Sequence, residues 1–134
     1  MKYASKLQNA LNQGMPFPEV QTSFAPIVGY RLVNYTEKPA PLSRVHFNSQ
    51  IEDGYHELLN VSPKKQYSLY SCSCFQTKEE IENLRLLPRF ESCETTCVMG
   101  EINKELGSIL IKGKGTHVHW FLYENSDPSY SNFK

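Results

Sequence analysis

The chain has no surplus of charge of either sign: fourteen Lys and Arg stand against fourteen Asp and Glu. Without a net field nothing recruits a polyanion or holds the chain on an anionic surface, so nucleic acid is not an expected partner. Long apolar runs are missing as well. No stretch approaches the roughly 18 apolar residues of a membrane span. Lys2 is followed by Ser5, Lys6, Gln8, Asn9 and Asn12 rather than by the apolar core of a signal peptide. The expectation is a cytoplasmic protein with no membrane partner. Cysteine occurs four times and tryptophan once; in that compartment four cysteines read as thiols before they read as disulfides.

What is present is ordinary globular composition. At 134 residues, 40% hydrophobic and 21% charged, the chain is too apolar for disorder and has the length of one domain, burying roughly two-thirds of its unfolded surface. The pattern predicts a single α+β domain over residues 1–134, with a mostly antiparallel sheet of about five strands, two helices on one face and a C-terminal β-hairpin. Residues 15–26 form a proline-rich extended arm, and residues 125–134 form a polar tail tacked down by Tyr130 and Phe133.

In order, Leu7, Ala10 and Leu11 give residues 3–13 one apolar helical stripe, with Gly14 placed to end it. Strands are predicted over residues 27–35, 44–47, 67–75, 95–102, 108–112 and 116–123. The 67–75 strand has small side chains on both faces, Cys72 and Cys74 on one, Ser71 and Ser73 on the other. That suits a central strand or the close approach of another group. Thr77 and Glu80 have the spacing of a capping box, so a helix should follow over residues 78–87 and stop at Pro88.

The last two strands are joined by Gly113-Lys114-Gly115, read as a three-residue hairpin loop closed by Lys112 and Thr116. This register sets Ile111 opposite His117, Leu110 opposite Val118, Ile109 opposite His119 and Ser108 opposite Trp120. Val118, Trp120 and Leu122 then form the core face. His117, His119, Phe121 and Tyr123 share the other, semi-apolar face, and a one-residue slip changes the partners but keeps the histidines together.

Four constellations carry candidate chemistry. The favoured one is a ligand- or protein-binding face built from His117, His119, Tyr123 and Glu124, taking an unknown small molecule or protein, with no cofactor, no catalytic residue and no favoured metal assigned. The arm at residues 15–26 would serve as lid or homodimer contact. Second, His117 and His119 stand about 7 Å apart along one side of a strand, a spacing able to hold a divalent cation, with His46, His56 or a carboxylate as third ligand. Together with Glu124 this resembles part of the first cupin motif. It departs from that motif at Ile111, where a glycine is expected, and after Glu124, where no glycine follows. Third, Cys72, Cys74, Cys93 and Cys97 form two pairs; buried thiols are favoured over zinc or a disulfide.

The fourth is an order of Arg31 on an early strand, Ser71 or Ser73 on a middle strand and Glu124 at the end of the last. It resembles the arginine, serine and glutamate pattern of ADP-ribosyltransferase-like domains. The resemblance implies an NAD site, with the arginine forking a phosphate, the serine fixing a ribose and the glutamate stabilising cationic charge. Leu122 stands where that pattern has its further acidic or glutamine partner. From Tyr67 onward the layout also resembles small uncharacterised bacterial proteins of the mobile gene-cassette type. Leu87-Pro88-Arg89-Phe90, Gly100-Glu101, His119-Trp120, Tyr123-Glu124, Asp127-Pro128 and Phe133 carry it, and it implies a bacterial origin without an activity.

Overall fold

The computed structural model describes residues 2–34, 42–54, 61–86, 95–112, 115–130 and 133. Among them five strands form one antiparallel sheet: β1 (Ile27–Asn34), β2 (Cys72–Phe75), β3 (Thr95–Ile102), β4 (Gly107–Leu110) and β5 (His117–Leu122), in the spatial order β3-β1-β2-β5-β4. Two α-helices accompany it, α1 (Ser5–Asn12) and α2 (Lys78–Arg85). The expected α+β architecture is the one found. The strand with small side chains, β2, lies at the centre of the order.

Both faces of the sheet are used. Trp120, Val118 and Leu122 of β5 pack with Cys72 and Cys74 of β2, Val33 of β1, Val98 and Ile102 of β3, and Ile109 of β4. Phe47 and Phe133 close this core, their rings edge to face at 5.0 Å. Phe133 thus anchors the tail as expected, whereas Tyr130 is 91% exposed. On the opposite face Phe121 packs with Leu7 of α1 and with Tyr67. Further along that face, Leu84 of α2 overhangs Phe75 and His117. Between α2 and the 63–70 segment the sheet is left partly uncovered.

Gly14, at φ +91°, ends α1 in the left-handed conformation that glycine adopts without strain. The arm that follows is docked on its own chain. Phe17 meets Phe121 at 4.9 Å, and Gln21 exchanges both backbone hydrogen bonds with Ile109, extending the β4 edge. The backbone donor and acceptor of Gln21 are thus satisfied within the molecule.

Several local expectations are corrected. Residues Arg44–Phe47 form a 3-10 helix, not a strand, because His46 Nδ1 accepts the Ser43 N–H and closes a capping box. Residues Pro63–Tyr70 are also 3-10, so the strand expected from Tyr67 begins only at Cys72. Proline preorganises the first turn there, and Ser68 Oγ donates to the Lys65 carbonyl. The Thr77–Glu80 capping box does not form: Thr77 caps nothing with its side chain, and Glu80 Oε1 accepts the Thr116 hydroxyl instead. The predicted stop at Pro88, the 35–41 segment, the region of His56 and the loop glycine Gly113 lie outside the described residues.

The hairpin register is shifted by one residue from the predicted one. Ile109 stands opposite Trp120, Leu110 opposite His119 and Ser108 opposite Phe121. Ile109 rather than Leu110 therefore enters the Trp120 core, and Leu110 packs on the Phe121 side. Because Ser108, Ile109, Leu110 and Ile111 contain no polar alternation strong enough to choose, register is set by burial against β5 and by the Gln21–Ile109 bridge.

Candidate functional site

Alternation along β5 sends His117 and His119 to the side away from Trp120, and alternation along β2 sends Ser71 and Ser73 to the same side. Ser73 is directly opposite His119 in the ladder. Yet the hydrogen bonds run diagonally: Ser73 Oγ lies 2.5 Å from His117 Nε2, and Ser71 Oγ lies 3.1 Å from His119 Nδ1. The two imidazole rings are 4.4 Å apart. Phe75 stacks on His117 at 4.7 Å and 13°, and Tyr67 meets His119 edge-on at 6.2 Å. Each ring is thus fixed by one hydroxyl and one aromatic.

The two Ser–His pairs differ in the direction of their protons. Ser71 Oγ donates its only proton to the Ser68 carbonyl at 2.9 Å. It must therefore accept from His119, which places the His119 proton on Nδ1 and leaves Nε2 with a lone pair. Ser73 Oγ has no second partner among the described hydrogen bonds, so its proton is available to His117 Nε2.

Both imidazoles are held neutral. Burial lowers the His119 pKa to about 4, with smaller contributions from the neighbouring titratable groups of His117 and Lys112. Burial also lowers that of His117, partly offset by the Glu80 carboxylate. A desolvated imidazole gives up its charge because the cation loses more hydration than the neutral ring.

These groups floor a cleft of about 460 Å³ walled by Leu32, Leu84 and Phe75, with Arg31 and Asp53 among its charged lining. That is within the size range of small-molecule sites. Arg31 is rigidly placed. Strands β1 and β2 pair only at Tyr30 and Phe75, and where they part the guanidinium bridges them. Its Nε donates to the His46 carbonyl at 2.7 Å, Nη1 to that of Ser73 at 2.7 Å and Nη2 to that of Asn48 at 2.9 Å.

The structure therefore gathers Arg31, Ser71, Ser73, His117 and His119 in one place. Tyr123 and Glu124 are elsewhere. Tyr123 is buried beside Tyr3, ring centroids 5.4 Å apart, and its hydroxyl pKa is raised by burial and by Tyr3. Glu124 is exposed beyond the far end of β5, its N–H bonded to the Lys2 carbonyl. Seven residues of extended chain separate it from His117 by roughly 20 Å. The arginine and serines of the NAD pattern converge, but its glutamate does not; three of the five guanidinium N–H groups hold carbonyls and two are left.

For a metal, His117 and His119 offer two imidazoles, but no group of three His, Cys, Asp or Glu is placed to hold an ion among the described residues. His46 is occupied in its own capping box. Cys72 and Cys74 are fully buried with their sulfurs 4.0 Å apart. Burial raises the Cys72 thiol, but its contact with Cys74 and the charges of Arg31 and Arg44 outweigh this and bring it to about 7. Cys74 is raised by that same contact and by burial. Cys97, next to the core residue Val98, projects to the other side of the sheet, and Cys93 lies outside the described residues.

Sequence reasoning found the two histidines through their i, i+2 spacing, and the two serines through the small-residue alternation of β2. Missing from the sequence-based site are Phe75, which shares the β2 face of Ser71 and Ser73, and Leu84, which reaches the cleft only once α2 is folded over the sheet. No helix among the described residues is long and apolar enough to cross a membrane. The chain matches no family model, and neither a curated protein nor a solved structure is significantly similar to it.

Proposed function

We propose that this is a cytoplasmic small-molecule-binding protein whose ligand lies on the β2–β5 floor between α2 and the 63–70 segment. The observation that carries the reading is the pair of neutral imidazoles, each oriented by its own serine, at the base of an open cleft of about 460 Å³. Uncharged, fixed hydrogen-bonding groups beside apolar walls select a ligand by shape and by a few directed contacts. Phe75, Leu32 and Leu84 favour a planar ring, His119 Nε2 accepts a donor from it, and Arg31 favours an acidic substituent. The ligand class is therefore a small ring-bearing acid or phenol.

Saturation-transfer NMR with 4-hydroxybenzoate and a panel of related aromatic acids tests this. Ring protons of at least one member should receive saturation, the His117 and His119 ring signals should shift with it, and His119→Ala should abolish the effect. A panel that leaves both histidine signals unmoved rules out the reading.

A further inference from the structure

The difference between the two Ser–His pairs has a chemical meaning. In the Ser71–His119 pair the imidazole donates and the serine proton is committed to the Ser68 carbonyl. That serine cannot hand its proton to the ring. In the Ser73–His117 pair the hydroxyl faces Nε2 at 2.5 Å and lines the cleft. This is the relation between nucleophile and general base in acyl transfer.

Two further groups complete the set. Glu80 reaches down from α2 and is fixed by the hydroxyl of Thr116, the residue before His117. Its carboxylate favours the charged form of the His117 ring, and the Thr116 bond holds it near that ring without a direct hydrogen bond to it among the described residues. On the other side is Arg31. Three of its five N–H groups hold the Ser73, His46 and Asn48 carbonyls, leaving two on a guanidinium clamped beside Ser73. A cation that is already immobilised costs no reorganisation when negative charge develops nearby.

We infer that Ser73, His117 and Glu80, with Arg31, form an esterase site for small carboxylic esters; this rests on the cleft being a ligand site. Ser73 Oγ attacks the ester carbonyl as its proton passes to His117 Nε2, and Arg31 stabilises the tetrahedral oxyanion. Collapse breaks the carbonyl–alkoxy bond, and the departing alcohol takes the proton from His117. Water then attacks the acyl-Ser73, giving one proton to His117, which returns it to Ser73 Oγ as the acid leaves. The sum is ester plus water to acid plus alcohol, with no other reactant. Glu80 is a positioning residue: it touches His117 electrostatically rather than the substrate.

The test uses a fluorophosphonate probe, with peptide mapping of the adduct, together with turnover of 4-nitrophenyl butyrate. The expected adduct is on Ser73. It disappears in Ser73→Ala, and His117→Gln slows both labelling and turnover about 100-fold, the scale of losing a general base. Glu80→Gln should lower kcat while leaving KM near its starting value and move the pH profile of kcat. If Ser73→Ala folds poorly, Ser73→Cys serves instead: beside His117 its thiol should react with iodoacetamide about 10-fold faster than after His117→Gln. Absence of any Ser73 adduct, or turnover equal in Ser73→Ala and wild type, overturns the esterase assignment. If the aromatic-acid panel still binds, only this inference falls; if it does not, the cleft reading falls with it.

Discussion

Strand β5 carries two different environments on alternate residues. Val118, Trp120 and Leu122 enter a filled core, whereas His117 and His119, one residue out of step, floor an open cleft. The same contrast crosses to β2, whose side chains are small on both faces. Opposite Cys72 and Cys74 the space is occupied by the indole of Trp120. Beside Ser71 and Ser73 it is left open as the cleft between α2 and the 63–70 segment. A central strand of small residues makes room on both sides, and the neighbouring strand decides which room is filled. One face provides cohesion; the other keeps polar groups oriented because their hydrogen bonds are made within the sheet.

This comparison is broken most severely at Trp120, which is fully buried. Trp120→Ala removes the largest side chain of the core and should cost about 3–5 kcal/mol, enough to threaten folding. His119→Ala, on the neighbouring position, should cost about 1 kcal/mol, since its ring is only partly buried and one hydrogen bond is lost. Urea denaturation of the two variants gives the ratio directly. Equal losses would mean that the cleft face is packed as a core.

Adding atoms sharpens the same point. A Cβ on Gly100 would lie 2.5 Å from the Phe133 ring and 2.8 Å from its backbone. Gly100→Ala therefore has to push Phe133 away from Phe47 and Trp120, and should destabilise by about 1–3 kcal/mol as overpacking does. Melting temperature and the near-ultraviolet signal of Trp120 should change together. A silent substitution would show that the tail does not close the core.

How much of this could be read from sequence follows the same division. Strands β1 and β3 were legible from β-branched and aromatic runs, and β2 was recognisable as central because little but Cys and Ser occupies it. The shared face of His117 and His119 was legible because period-two alternation survives any register. The register itself was not: Ile109, Leu110 and Ile111 are all apolar, so either phase buries one. The short 3-10 segments depend on single side-chain bonds, such as His46 to Ser43, which periodicity does not report. Glu80 has the spacing from Thr77 of a helix cap. Its actual partner, Thr116, is 36 residues away and available only through the fold. Arg31 stands out in sequence for its place in the arginine, serine and glutamate order, whereas in the fold its donors hold β1 and β2 together where the ladder parts.

The smallest effect concerns the charge state of the open face. His119 has a folded-state pKa of about 4, below its ordinary value of 6.5, and His117 is displaced in the same direction. The unfolded chain therefore takes up protons that the native state refuses. This contribution to stability is complete above the ordinary histidine value and declines as pH falls from there towards 4. Between pH 7 and 5, before most carboxylates titrate, the urea midpoint of the wild type should fall with decreasing pH. His119→Gln cannot titrate and should flatten that decline while leaving the pH 7 value little changed. Because the ring is partly exposed to water, the slope removed should be smaller than that of one fully buried proton. Identical slopes in the two proteins would mean that His119 is free to charge, and that the Ser71 bond does not keep a neutral acceptor facing the cleft.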